Sequence, residues 1–202
     1  MTDELSKSGL LSPEEAARFV RRGHFAYESG HHGDAWLALD LLVRDRKRLE
    51  AAAAKLAARL RPYPADLVVG IEAGGVLIAP RVAAEFKAAL VTAQRKRDPG
   101  SAEVRYAIAP ESRAAVAGKR ALVIDDAINV GSAVLACMRE IDALGGRVAA
   151  IAALVVRESA DEEIAEANAV AVEGLVSVRW GTWPAADCPL CNSGVPLTRP
   201  EA

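Results

Sequence analysis

Cysteine, long apolar runs and excess charge of either sign are all scarce in this chain of 202 residues, and each scarcity removes a class of protein. Three cysteines cannot all pair within one chain, so a disulfide framework is not what holds the fold together. The opening Met1-Thr2-Asp3-Glu4-Leu5 is acidic and polar, unlike a secretory signal. The longest apolar run, Val148 to Val156, is too short to span a bilayer. A net charge of −2 offers no basic surface for general nucleic-acid binding. No Gly-x-x-x-x-Gly-Lys-Ser/Thr pattern is present, which excludes a P-loop, and there is no internal repeat or low-complexity segment. These absences lead us to expect a cytoplasmic protein that binds neither membrane nor nucleic acid.

Hydrophobic residues make up 51% and charged residues 26%, an ordinary globular balance that suits one domain over residues 1–202. Ser12-Pro13-Glu14-Glu15 reads as a helix start with a capping box, and the helix is expected to reach Arg22 and stop at Gly23. A small hairpin is expected from His24–Glu28 and Ala35–Leu39, then a helix over Arg44–Leu60. Strand Asp66–Ile71 and helix Val76–Ala88, with Pro80 near its first turn, lead to strand Ala89–Thr92 and a polar loop from Gln94 to Glu103. After a strand at Val104–Ile108 come strand Arg120–Ile124, helix Ser132–Leu144 with a Gly145-Gly146 stop, and strand Val148–Val156. A short helix over Asp161–Ala167 and late strands Ala169–Val172 and Leu175–Trp180 complete the pattern. Strands alternating with helices predict an α/β fold with a mostly parallel central sheet flanked by helices.

The most informative stretch is Val123-Ile124-Asp125-Asp126-Ala127-Ile128-Asn129-Val130-Gly131-Ser132-Ala133. An apolar run ends in two adjacent carboxylates, followed by a turn with one glycine and a serine that opens a helix. Acids alone are common at loops and helix starts. Acids at a strand end, with a glycine turn and a hydroxyl at the next helix N-terminus, suit a sugar phosphate instead. Backbone N–H groups and the helix dipole hold the phosphate, while carboxylates face ribose hydroxyls or Mg²⁺.

That stretch closely resembles the phosphoribosyl pyrophosphate (PRPP) signature of type I phosphoribosyltransferases, and segments in the same order resemble the orotate branch. Gly23-His24-Phe25 with Ser29-Gly30 is similar to its N-terminal hood. Val69–Val76 is similar to its pyrophosphate loop, and Arg95-Lys96 to the start of its flexible catalytic loop. Val155-Val156-Arg157-Glu158 falls where the branch keeps an arginine for the orotate carboxylate. The resemblance implies a type I phosphoribosyltransferase fold, with the N-terminal helix and hood over about residues 1–43 and a C-terminal tail over about residues 181–202. It also implies a homodimer using PRPP, a nucleobase and Mg²⁺, and a glycosyltransferase that converts orotate to orotidine 5′-monophosphate in pyrimidine biosynthesis.

Residue by residue, the resemblance implies that Asp125, Asp126 and Lys96 serve catalysis. PRPP would be held by Asp125, Asp126, Ala127, Ile128, Asn129, Val130, Gly131, Ser132 and Ala133. Pyrophosphate would lie against Glu72, Ala73, Gly74, Gly75, Arg95 and Lys96, and the base against Asn129 and Arg157. Mg²⁺ would arrive with PRPP rather than on a complete protein site. A transferase for another base is one alternative. A non-catalytic PRPP-sensing protein is the other, suited by Asn129, by Glu28 and by a short loop after Lys96.

The tail carries Cys188-Pro189-Leu190-Cys191, half of a tetrahedral zinc site with no second cysteine pair to complete it. Two subunits sharing a site, a redox pair, and ordinary thiols all fit. His24, His31 and His32 lack spaced carboxylate partners and read as exposed or structural histidines.

Overall fold

Strict alternation of side chains along the buried strands decides the layering. The computed structural model describes residues 2–27, 29–96 and 105–199. Helices α1 (Thr2–Lys7) and α2 (Pro13–Phe19) precede an antiparallel hairpin, β1 (Val20–Ala26) and β2 (His31–Leu37). Then come α3 (Asp40–Arg44), α4 (Arg46–Leu60), β3 (Leu67–Ile71), α5 (Gly75–Phe86), β4 (Ala89–Lys96) and β5 (Arg105–Ile108). The second half holds β6 (Arg120–Ile128), α6 (Ser132–Ala143), β7 (Arg147–Arg157), α7 (Ala160–Asn168) and β8 (Ala171–Val178). The tail adds β9 (Thr182–Pro184) and α8 (Pro189–Asn192).

The central sheet has six strands in the order β5-β4-β3-β6-β7-β8, all parallel except β5, which runs antiparallel to β4. Val68, Leu122, Ile124, Ala152 and Leu154 point to one face and pack with α4 and α5. Val69, Val123, Ile151 and Ala153 point to the other and pack with α6 and α7. Neighbouring residues serving opposite cores is the period-2 pattern of a sheet covered on both sides. Truncating a fully buried member such as Leu122 would cost about 2–5 kcal/mol.

Chain order and sheet order locate the site. The chain leaves β3 through α5 toward β4, on one side, and leaves β6 through α6 toward β7, on the other. The carboxyl ends of β3 and β6 therefore flank a switch point, where an open crevice forms.

Several boundaries differ from the sequence expectations. Helix α2 has the expected capping box, with Ser12 and Glu15 side chains bonded to each other's backbone N–H, but it ends at Phe19 rather than Arg22. Phe19 is fully buried, and Val20–Arg22 already pair with Leu37–Ala35. Asp45 divides the Arg44–Leu60 stretch, leaving the helix at α3 and capping the Arg48 N–H of α4. Pro80 lies inside α5, just past its first turn. Gln94, Arg95 and Lys96, expected in a loop, extend β4 by pairing with Ala107, Tyr106 and Arg105. The rest of that loop, residues 97–103, lies outside the described residues, as do Val104, the first residue of the expected next strand, and Glu28. The two late strands are one, because Gly174 pairs in register with Ala153 and does not break the ladder. No helix among the described residues is long and apolar enough to cross a membrane.

The tail was not expected to join the hairpin. β9 pairs antiparallel with β2, so that His32 faces Trp183 and Gly33 faces Thr182. Further on, Thr198 bonds to the other edge, accepting from Ala26 N–H at 2.9 Å and donating to the His24 carbonyl at 2.8 Å. The tail thus grips both edges of the hairpin, which stands over the sheet as a three-stranded hood, β1-β2-β9.

Candidate active site

β6 is longer than expected, and its extra length builds the site. It pairs with β3 only as far as Ile124, but with β7 through Ile128. Asp125 and Asp126 thus belong to a strand held on one edge and open on the other.

Asp125 is buried, and burial pushes its carboxyl well above the usual carboxylate range; the Asp126 charge adds to the effect. The Asp126 N–H donates to Asp125 Oδ1 at 2.9 Å and partly offsets this. Burial also raises Asp126, opposed by the Ala127 N–H donating to its Oδ1 at 2.8 Å. Among the described residues no cationic side chain is hydrogen-bonded to either acid. Two carboxylates supported only by backbone donors favour a cation or hydroxyl donors arriving from outside.

The turn after β3 lies against this pair. A Cβ on Gly74 would stand 1.9 Å from Asp126 Oδ2, so only glycine allows the two segments to approach so closely. The Glu72–Ala73 peptide in this turn is cis. Glu72 accepts from the Arg95 N–H through Oε2 at 3.2 Å, and its carbonyl accepts from the Tyr106 hydroxyl at 3.3 Å. The Glu72–Gly75 turn therefore lies beside the acids, with Arg95 bordering the turn through its backbone N–H. Lys96 extends β4 and donates to Gln94 Oε1 at 3.2 Å, not to the acid pair.

Beyond Ile128 the chain turns through Asn129-Val130-Gly131 into α6. Gly131 is left-handed at φ 79°, and a Cβ there would lie 2.5 Å from Ile164 Cδ1, so both conformation and space demand glycine. No side chain caps α6, which leaves its first-turn N–H groups for something else. They face a cavity of about 250 Å³. Its floor is formed by Asp125 and the segment Ala127–Val134, and its roof by Tyr27, Ser29, Ala35, Trp36 and Leu37 of the hood, with Trp180 from the tail. Ser29 Oγ is buried there without a hydrogen-bond partner among the described residues.

Asn129 lines the cavity, whereas Arg157 stands behind the turn. Asn129 Oδ1 accepts from Trp180 Nε1 at 3.1 Å and Thr182 Oγ1 at 3.0 Å, which ties the turn to the hood. Arg157 donates through Nε to the Asn129 carbonyl at 3.2 Å and through a terminal nitrogen to Glu163 Oε2 at 2.6 Å. It braces the turn from behind and does not line the cavity. Trp36, Trp180 and Thr182 are site residues that the sequence pattern did not single out, and Ser29 entered only as part of the hood-like segment. Each comes from a segment distant in sequence from the acid motif, so no local spacing exposes them.

The cysteine pair and the histidines also need correction. His24 and His32, read as unpartnered, meet Cys188 and Cys191, read as half a site lacking partners within the chain. The tail's wrap around the hood, invisible to local patterning, brings the four together.

A phosphoribosyl transferase domain profile matches residues 43–186. The orotate phosphoribosyltransferase of Caldanaerobacter subterraneus subsp. tengcongensis is 26% identical over 196 residues, covering 97% of each chain. Among solved structures, the orotate phosphoribosyltransferase of Aeropyrum pernix superposes with a TM-score of 0.61 at 19% identity, over 88% of this chain and 93% of that one. The adenine phosphoribosyltransferase of Thermoanaerobacter pseudethanolicus gives 0.59 at 20% identity, over 71% and 88%. With a domain profile spanning more than half of its length and this sheet order beneath a hood, the chain belongs to the phosphoribosyltransferase family and has the type I fold.

Proposed function

We propose that the chain transfers 5-phosphoribosyl from PRPP to orotate, giving orotidine 5′-monophosphate and pyrophosphate. One observation carries the donor half of this reading. An uncapped helix N-terminus and a buried, unpaired carboxylate face a single cavity, which suits a phosphate joined to a ribose. The α6 first turn, with Ser132, takes the 5′-phosphate, and Asp125 and Asp126 take the 2′- and 3′-hydroxyls. The Glu72–Gly75 turn, Arg95 and Lys96 border the pyrophosphate. Mg²⁺ fits the donor set, because hard carboxylate oxygens without a protein cation suit a hydrated ion entering with the substrate. When bound, it supplies positive charge to the departing pyrophosphate.

Displacement at the anomeric carbon builds positive charge on the ribose ring and negative charge on the leaving group. Asp125 and Asp126 lie under the ribose side, where their charge favours the former. The hood excludes water that would otherwise capture the sugar. The acceptor lies beneath Tyr27, Trp36 and Trp180, with Ser29 Oγ as a waiting polar partner. Whole-length similarity to an orotate enzyme supports orotate as that acceptor. A homodimer belongs to the same reading, and Leu77 on α5 and Leu90 on β4, 51% and 45% exposed, are apolar surface available to it.

A different base is the second reading. No lysine or arginine is among the described residues lining the cavity, and Arg157 is held by Glu163, so an anionic base meets no free guanidinium there. A spectrophotometric assay with PRPP and Mg²⁺ across orotate, uracil, adenine and hypoxanthine decides between them. Orotate consumption with pyrophosphate release is the expected result. Turnover of another base alone would replace the acceptor, and PRPP binding without any turnover would make the protein a sensor.

A further inference from the structure

The tail cysteines and the hood histidines form a compact donor set that the phosphoribosyl chemistry does not use. His24 Nε2, His32 Nδ1, Cys188 Sγ and Cys191 Sγ all lie within 4.8 Å of one another. His24 Nε2 stands 3.3 Å from His32 Nδ1, 3.4 Å from Cys188 Sγ and 3.7 Å from Cys191 Sγ, and His32 Nδ1 is 3.2 Å from Cys191 Sγ. Zinc–nitrogen bonds of about 2.0–2.1 Å and zinc–sulfur bonds of about 2.3 Å give a tetrahedron with N···N and N···S edges of about 3.3–3.6 Å. The observed separations match those edges closely. We infer that this chain holds a structural zinc ion on His24, His32, Cys188 and Cys191.

Three further features support the assignment. The other ring nitrogen of His24, Nδ1, lies 2.8 Å from the Val195 carbonyl, so it carries the proton and leaves the Nε2 lone pair pointing into the cluster. This is the outer contact that orients histidine ligands to metals. A single imidazole lone pair cannot hydrogen-bond to a second imidazole and two thiols at once, whereas one cation among them satisfies all four. Both thiols are free of disulfides, and Cys188 and His24 are buried while His32 is half-buried and Cys191 exposed, so a cation here would be shielded from water on the Cys188 and His24 side. Soft sulfur and nitrogen donors select zinc over Mg²⁺, and two thiolates balance its charge. Four protein ligands leave no open position, so the ion acts as a clasp rather than a catalyst.

The clasp has a mechanical consequence. β1 supplies His24, β2 supplies His32, and the cysteines flank the start of α8, between the two points where the tail grips the hairpin. Closing the site pins the tail across both hood strands. The same tail presents Trp180 and Thr182 to Asn129. Zinc thus sets the rigidity of the cavity's roof without touching substrate, and the inference stands whichever base is transferred.

Elemental analysis of the purified full chain tests it directly. One zinc per chain is expected, falling to none in the Cys188→Ser, Cys191→Ser double variant, with a lower Tm after chelation of the wild type. Cobalt(II) substituted into the wild-type chain should show the intense visible bands of a tetrahedral thiolate site, a readout that survives even if the double variant does not fold. Wild-type chain that stays metal-free after dialysis against zinc, with Cys191 still reactive toward a thiol reagent, would overturn the inference. So would a native Cys188–Cys191 disulfide, seen as a loss of two hydrogens by mass spectrometry.

Discussion

Replacing Asp125 by asparagine separates what the carboxylate does for substrate from what it costs the fold. Asp125 is 7% exposed, its charged form is disfavoured by burial and by Asp126, and its Oδ1 accepts the Asp126 N–H. Asparagine keeps that acceptor, adds a donor for the neighbouring carboxylate and removes the buried charge. A folded-state pKa above the ordinary value of 3.8 means that stability is fully present below that pH and is lost as pH rises through the folded-state pKa. Asp125→Asn removes that buried charge and should raise the Tm of the apo chain at pH 7, by about 2–4 °C for each kcal/mol recovered in a chain of this size. Apo wild type should lose stability from pH 4 upward, and the variant should show a flatter profile. Mg²⁺-PRPP at about 100 times its Kd should stabilise the wild type by about 2.7 kcal/mol, or about 5–11 °C, and leave the variant unshifted. Scanning fluorimetry across pH, with and without ligand, reads both effects. A variant no more stable than wild type at pH 7 would refute the buried-charge argument, and an intact ligand shift would refute the ribose assignment.

Gly131→Ala should raise the KM for PRPP by about 5–30-fold, because the left-handed φ costs about 1–2 kcal/mol and the added Cβ would meet Ile164; unchanged steady-state kinetics would mean the turn does not hold the phosphate. Gly74→Ala should push Asp126 or the Glu72–Gly75 turn aside and lower kcat/KM, while an unaltered value would show that their close approach is not used. Arg157→Ala should raise the KM for PRPP and for the base together, since Arg157 braces the Asn129 turn; a rise for the base alone would place its guanidinium on the base instead. Glu15, held at a pKa of about 2 by the Ser12 N–H and by Arg48, contributes stability present above its ordinary 4.5 and lost as pH falls toward 2. Acid unfolding of Glu15→Gln should therefore lack that part of the transition, and a profile identical to wild type would remove the contribution.

Local chemistry alone was enough for a large part of this molecule. Helices and strands followed from apolar periodicity, the α2 start from its capping box, and the donor motif from two acids followed by a glycine turn and a hydroxyl. Each is a property of residues a few positions apart, where propensity and hydrogen bonding act directly. Boundaries failed where a distant partner decided them: Arg22 became strand because Ala35 pairs with it, and Lys96 because Arg105 does. The tertiary structure alone decided what closes the site. Strand order put the β3 and β6 ends at one crevice, and the C-terminal tail crossed the N-terminal hood to bring Trp180 and Thr182 to Asn129 and Cys188 and Cys191 to His24 and His32. Cys188 and His24 are 164 residues apart, and their meeting depends on β9 adding to the free edge of β2. Sequence spacing carries no record of that contact, because a sheet edge accepts its partner through backbone hydrogen bonds rather than through any particular side chain.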